Sequence, residues 1–522
     1  MAVKLGNGNW AVKEDKLLAY NDNSGLFFNK EFDFSRGTSA TYVAKDGLIK
    51  TAGIQPNIVN NGDFATDSDW TKGSGWSISG GKAVGSATGA SLYQADGANY
   101  TSGKLYKVTF EVSDYVSGSV RPEVTNVAGS YVSSNGVFIQ YITATSSSIG
   151  AELKGSTFTG SIDNVTVQEI QTDTPRIDFT NDTKGHLLLE PSRTNIITNS
   201  SNFSAASWTN VSATRTSVNI PLPDGTTGGF QITQNGGASD RIQDALSLSS
   251  NNHFFSLFVK GTSYASDFIF RIRSLRGEDA KFNINTNNEI SYNSGTSTNY
   301  FIEEYENGWY RVGFESTMSN TQSNYFQIYP DTATDSFGSI YIWGSQVEEG
   351  SYATSYIPTT GAASTRNKDV CRDSGSAQDF NDSEGVLYAE IAALDEIGGA
   401  SKQFCISNSD RSSVVLFSFL NADNKIKVNL KSEGSIVASF QRDISPSITS
   451  FFKIALQYQL NNVNLWVNGV KTNTDTSAAM PVGLEKFTFT RGDSGNNFNG
   501  KVRNVQVFTE ALTDEQLEKL TS

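Results

Sequence analysis

The feature that most narrows what this chain can fold into is two-residue alternation in short runs. Leu105-Tyr106-Lys107-Val108-Thr109-Phe110-Glu111-Val112 is the plainest, and Phe254 to Lys260, Phe268 to Ile272 and Trp309 to Phe314 are apolar-rich runs of similar length. Successive side chains of a strand point to opposite faces, so such runs read as strands. Ser, Thr, Asn and Gly crowd the turns between them. With 46 glycines, 10 prolines and only 18% charged residues, the expected class is all-β: tandem β-sandwich (jelly-roll) modules with a small split N-terminal unit and a short C-terminal helix. A length of 522 residues exceeds one ordinary core and implies roughly three or four domains.

An internal repeat organises the chain. Asn57-Ile58-Val59, then Asn61 and Trp70, recurs as Asn195-Ile196-Ile197, then Asn199 and Trp208, at the same offsets. Each stretch closes on Gly-Ser-Ile, at Gly160-Ser161-Ile162 and at Gly338-Ser339-Ile340. Paired opening and closing signals favour two related sandwiches, residues 57–172 and 195–360. Residues 361–383 are polar and read as a linker, and 384–522 as a third β module. In the third module Asn461-Asn462 and Asn468-Gly469 mark tight turns. The ending predicts a helix with Thr513 as N-cap, Asp514 and Glu515 in its first turn, Leu517 and Leu520 on one face and Lys519 near its C-terminus. The pieces before and after the first module, 1–56 and 173–194, read as halves of one unit interrupted by it. Leu187 to Leu189 would then pair with strands preceding residue 57; the plainer reading is an interdomain connector.

A balance of 40 basic against 54 acidic residues gives a net charge of -14. That charge repels phosphate backbones and anionic lipid, so nucleic acid and membrane are not expected partners. The first residues show no continuous apolar h-region, and no stretch approaches the ~18 apolar residues of a membrane span. Cys371 and Cys405 are far apart and read as two buried or free thiols more readily than as a bridge.

Candidate chemistry is sparse. The two histidines, His186 and His253, read as surface turn residues, and no Cys or His pair has zinc-ligand spacing. Glycoside hydrolysis needs two carboxylates, but Glu303-Glu304-Tyr305-Glu306 is a poor substitute for alternate carboxylates on one strand. No enzyme is expected and no cofactor is required. Calcium is the one metal the residues could suit, at Asp493, Asn496 and Asn497, with Asp67, Asp69 and Asn381-Asp382 as further hard oxygens; solvated turns are the simpler reading. Sugars are recognised by aromatic faces with polar rims, and Trp76, Tyr93, Tyr100 and Tyr115, near turns of the first module, are the candidate stackers. Trp70 and Trp208 recur at matched positions and read as core.

Several strings carry a family resemblance. Arg36-Gly37-Thr38-Ser39-Ala40-Thr41-Tyr42, Asp46-Gly47-Leu48-Ile49, Pro175-Arg176-Ile177-Asp178, Leu187-Leu188-Leu189-Glu190 and Arg193-Thr194-Asn195 resemble the N-terminal region of tailed-phage head-fibre and tail-fibre proteins. Gln346 to Pro358 resembles the end of the jelly roll that follows it in such proteins. Residues 57–169 resemble carbohydrate-binding jelly rolls, and 384–520 a laminin-G or concanavalin-like sandwich. The resemblance implies a structural appendage located in the virion. Residues 1–56 and 173–194 would hold it to other virion proteins (capsid, portal or tail), and its modules would meet host surface glycan. It also implies a homotrimer. The rival readings are a bacterial surface lectin and a glycan-degrading enzyme.

Overall fold

The computed structural model describes residues 2–5, 12–13, 16–21, 30–147, 149–262, 267–275, 277–318, 323–334, 337–395, 402–420, 424–491 and 497–522, with side chains from Phe32 onward apart from Ser323. The described chain is all-β with one α-helix, Asp514–Thr521.

The repeated signature is a clasp. Asn57 Oδ1 accepts the N–H groups of Val59 at 3.2 Å and of Val167, on the closing strand, at 2.9 Å. Asn195 Oδ1 does the same with Ile197 at 3.2 Å and Val347 at 3.1 Å. The backbone repeats the match, Ile58 donating to Val167 O and Ile196 to Val347 O. Trp70 Nε1 donates to Asn61 O at 2.9 Å and Trp208 Nε1 to Asn199 O at 3.0 Å, both indoles lying in their cores. One Asn side chain thus replaces the missing ladder partner on each closing strand, which satisfies buried backbone groups at the point where the sandwich shuts.

In the first module, Leu105–Val124 and Ala151–Ile170 pair along almost their whole length and collect the shorter strands around them into one nine-stranded sheet. Their register slips between Ser113 and Ser119. Gly118 sits there at φ 75°, and a Cβ on it would meet Thr157 O at 2.2 Å. Such a bulge bends paired strands and so lets them serve both layers.

The second module stacks two six-stranded sheets over Phe255, Phe270, Phe282, Phe314 and Phe326. The outer face of the sheet containing Asn252–Gly261, Trp309–Thr317 and Ser339–Glu349 is aromatic. Phe258, Trp309, Trp343 and Tyr356 gather there and are covered by Val43 and Ile49 of the N-terminal unit. Burying large aromatic faces is worth on the order of 2 kcal/mol per side chain, so this contact fixes the unit on the module.

Leu187 to Leu189 belongs elsewhere than expected. His186–Leu189 pairs with Ile177–Asp178 and with Gly500–Phe508, the last strand of the C-terminal sandwich, rather than with strands before residue 57. Ala2–Leu5 pairs with the same C-terminal strand. Leu187, Leu189 and Phe32 accordingly enter the C-terminal core. Phe32, Val43, Ile49, Leu187 and Leu189 of the N-terminal unit are therefore covered within the chain itself. The run 361–383 is likewise structured, with Ser364–Arg366 paired to Arg193–Asn195 and Val370–Arg372 to Asp33–Ser35. The C-terminal helix has its capping box between Thr513 and Gln516 and buries Leu517 against Val386, Tyr388, Ala455 and Trp466. Cys371 and Cys405 are both buried and not bridged to each other.

At the junction of these segments lies a buried ion cluster. Asp369 takes Arg36 Nη1 at 2.9 Å on one oxygen and Arg176 Nη2 on the other. Glu190 takes Arg176 Nη1 at 2.8 Å and Arg366 Nη1. Further donors find backbone acceptors: Arg36 Nη2 reaches Thr172 O and Thr174 O, Arg176 Nη1 reaches Thr41 O, and Arg366 Nη2 reaches Pro191 O, while Ser355 N donates to Glu190 Oε1; Arg176 Nε and Arg366 Nε stay buried without an acceptor. Burial alone pushes both carboxyls up, but the guanidiniums outweigh it and hold both below the usual carboxylate range. Burial brings the Arg36 guanidinium down to about 10 despite Asp369.

Asp369→Ala would leave the buried Arg36 guanidinium without a carboxylate and Arg176 with Glu190 alone, and is expected to cost ~3–5 kcal/mol. Asp46→Ala, which removes the exposed partner of Lys50, is expected to cost less than about 1 kcal/mol; urea unfolding of both variants checks the contrast. A second prediction concerns Asp244, which is buried inside the second module with Oδ2 unpartnered. Burial pushes its carboxyl up to about 6. The folded state then keeps a proton that the unfolded chain releases near pH ~4, so stability falls as pH rises from about 4 to about 6 and stays lower above that. Asp244→Asn should raise the melting temperature at pH 7 and leave it little changed at pH 4, as read by calorimetry.

Candidate functional site

A cleft of about 390 Å³ opens where the first module, the second module and the N-terminal unit meet. One wall is the outer face of the first module's sheet. Along Gly136–Thr143, Phe138, Gln140 and Ile142 point into the core, so Val137, Ile139 and Tyr141 point out into the cleft, beside Lys107 on the neighbouring strand. The opposite wall is the hairpin of Thr214–Pro221 and Thr227–Thr233, contributing Val218 and Leu222. Its register slips between Ser217 and Ile220, opposite Gly228 and Gly229 at φ 148° and 103°. A Cβ on Gly229 would meet Leu222 Cδ2 at 3.2 Å, so glycine keeps this wall thin. Ile49, Thr51 and Ile54 of the N-terminal unit also line the cleft.

Polar groups line the cleft as well. Tyr141 OH lies 3.4 Å from Thr51 Oγ1, and burial pushes the phenol up to about 12. Lys107 is half-buried, and desolvation lowers its ammonium below the ordinary lysine value, against the opposing charge of Asp224. Tyr131 is 45% exposed and has the Arg121 guanidinium 4.7 Å from its ring centroid. Asn199, Asn202, Ser217, Thr226 and Thr359 are among the polar lining on the second module. An apolar cleft with one exposed ring, many neutral hydroxyls and amides, and only Lys50, Lys107 and Asp224 as charged groups suits a neutral polyhydroxylated ligand.

None of the four aromatics singled out in the sequence lines this cleft. Trp76 packs on Phe158 at 5.8 Å and donates to Ala90 O, and Tyr100 lies 5.2 Å from Tyr106; both are core residues of the first module. Tyr93 is half-buried on Ser91–Tyr93, beside Thr71. Tyr115 is half-buried and donates to Gly118 O at 2.9 Å. The signal for Tyr141 was present: Val137-Phe138-Ile139-Gln140-Tyr141-Ile142 has apolar residues on both faces, which marks a strand covered on both sides.

Asp493 and Asn496 lie outside the described residues, and Asn497 has a buried Oδ1 without a hydrogen bond. Among the described residues no group of three or more His, Cys, Asp or Glu could hold a metal. Asp67 is taken by Lys72, and Asp382 by the N–H groups of Gly483 and Leu484. Both histidines are buried, contrary to the surface reading. His186 Nδ1 lies 3.0 Å from Asp182 Oδ2, itself held by Arg503. Ser249 Oγ is 3.4 Å from His253 Nε2 but bonds Glu349 at 2.8 Å, while His253 Nδ1 faces Asn251 O. With no carboxylate on the far side of the ring, this is not a relay geometry.

The C-terminal module matches, over residues 393–518, the family described as the Concanavalin A-like lectin/glucanases superfamily. No curated protein matches the chain. Among solved structures, the chain is similar to the CBM40 of a Ruminococcus gnavus IT-sialidase, at 14% identity over 29% of this chain and 94% of that one, TM-score 0.24. It is also similar to the CBM22-1-CBM22-2 tandem of Paenibacillus barcinonensis Xyn10C, at 10% identity over 57% and 98%, TM-score 0.21. Mouse laminin alpha1 LG4-5 matches at 10% identity over 52% and 88%, TM-score 0.19.

The cleft electrostatics give a direct expectation. Lys107 should release its proton at lower pH than the exposed lysines in a ¹³Cε titration, because burial disfavours its charge. Asp224→Asn should lower that value further. An unchanged titration in the variant would place Asp224 out of reach of Lys107.

Proposed function

We propose that this protein is a structural appendage of a phage virion, a head or tail fibre, that binds host-surface glycan through its β modules. The observation that carries the glycan reading is the intermodular cleft, where the exposed ring of Tyr131 meets hydroxyl and amide groups above an apolar floor. The concanavalin-like match of the C-terminal module supports the glycan reading, and the head-fibre-like strings around Arg36, Arg176 and Glu190 support the placement. The unit formed by 1–56 and 173–194 attaches to the other virion proteins, through surface other than Val43, Ile49, Leu187 and Leu189, which are taken by its own chain. The assembly is a homotrimer, which multiplies weak sugar sites by avidity. The protein is not an enzyme.

Mass spectrometry of purified virions tests the placement: the protein should be present at structural stoichiometry, and recovery in a bacterial surface fraction alone would favour a surface lectin. Light scattering should return the mass of three chains. On a glycan array, Tyr131→Ala should weaken the best neutral hit by about ten-fold, the size of a lost ring contact plus its buried area, with an unchanged melting temperature. An array without hits would remove the glycan reading, and release of reducing ends from host polysaccharide would overturn the non-enzymatic one.

A further inference from the structure

The two sheets of the second module differ in what they show outward. One hides its aromatic face under the N-terminal unit, as described above. The other, containing Arg241–Ser247, Ser323–Tyr329, Phe268–Ser274 and Asp279–Ile284 as consecutive neighbours, turns Ile242, Phe326, Ile328, Phe270, Ile272, Ala280 and Phe282 inward. Alternation then sends a different set outward. On one rung Tyr329 is opposite Arg271 and Arg271 opposite Lys281; on the next, Gln243, Gln327, Arg273 and Asp279 follow one another across the four strands.

These groups form an ordered platform. The guanidiniums of Arg241 and Arg271 lie 5.6 and 5.3 Å from the centroid of the Tyr329 ring. The phenol donates to Gln327 Oε1 at 3.1 Å, Gln327 Nε2 to Gln243 Oε1 at 2.8 Å, and Arg241 Nε to the same oxygen at 3.0 Å. Arg271 is paired with Asp279 at 2.6 Å, and Asp279 is itself tied down by Thr296. Arg273 and Lys281 have no carboxylate partner among the described residues. Four cations thus face one carboxylate on a single sheet face, in a chain whose net charge is -14. All four side chains are half-buried, so their stems are held while part of each head stays open.

We propose that this face is a second binding site, selective for an acidic saccharide. The inference rests on the reading of these modules as glycan-binding. The cations supply charge-assisted donors for carboxylate or sulfate groups, and the neighbouring glutamine amides suit hydroxyls. Across the four strands the platform spans on the order of 14 Å, long enough for more than one charged sugar. Nucleic acid is the less fitting polyanion, because the field around the platform is negative and a duplex would extend into it.

The test is direct binding of the full chain to polygalacturonate, polysialic acid and dextran sulfate, against methyl-esterified polygalacturonate and dextran. At least one acidic polymer should bind more tightly than every neutral one, and less tightly as ionic strength rises. The double variant Arg273→Gln/Lys281→Gln should weaken that polymer by roughly ten-fold or more with an unchanged melting temperature. Tyr131→Ala, in the cleft, should leave it intact. Equal binding of acidic and neutral polymers, or a double variant that binds as the parent does, overturns the proposal. So does a poly-thymidylate oligomer or a phosphatidylserine vesicle bound as tightly as the best saccharide. Loss in Tyr131→Ala alone would move the acidic ligand to the cleft, sinking this site while leaving the glycan reading standing.

Discussion

The arrangement of this molecule depends on five buried charges. Arg36, Arg176 and Arg366 meet Glu190 and Asp369 in a pocket of protein with almost no solvent, and the five come from three separate stretches of the chain: Arg36 from 1–56, Arg176 and Glu190 from 173–194, Arg366 and Asp369 from 361–383. A charge taken from water at that depth is tolerated only with its partners in place. The cluster therefore behaves as an all-or-nothing junction, joining the N-terminal unit, the returning segment, the tail of the second module and the connector. It adds little net stability over a well-packed apolar junction of the same size. What it supplies is a single relative position for those segments, and the cleft between the two jelly rolls inherits its width from that position.

The same economy explains why the second module has two unlike outer faces. A sandwich must bury its inner faces, but each outer face is free to be either covered or wet. Covering one with Val43 and Ile49 against Trp309 and Trp343 removes the need for polar residues there and anchors the unit. The other face remains polar and carries its aromatic ring, Tyr329, as a spacer between guanidiniums rather than as exposed surface. The covered aromatic face and the open polar face are thus separated by sheet.

Much of this was legible in the sequence. Alternation and turn composition led to the all-β class, and the repeat of Asn, Ile and Trp at fixed offsets marked two related sandwiches; the structure shows that those same Asn side chains close them. The C-terminal helix was readable from Thr513 and Leu517 because capping and amphipathicity are local. What could not be read was long-range. Arg366 and Asp369 look like solvated linker residues until their partners, more than a hundred positions away, are known. Trp76 and Tyr100 look like surface aromatics because turns flank them, yet their rings point into the core. Leu187 to Leu189 announced a buried strand, but nothing local distinguishes a partner in the N-terminal unit from one at residues 500–502.

That last pairing has a consequence for how the protein is made. Gly500–Phe508 receives Ala2–Leu5 at one end and His186–Leu189 at the other. A chain emerging from the ribosome cannot complete this sheet until residue 508 has been synthesised. The first jelly roll, contiguous in sequence, can close early; the segments flanking it must wait with Leu187 and Leu189 exposed. The late strand is thus a check on completeness: a product truncated before it would present open strand edges and unburied leucines, the features by which unfinished chains aggregate or are removed.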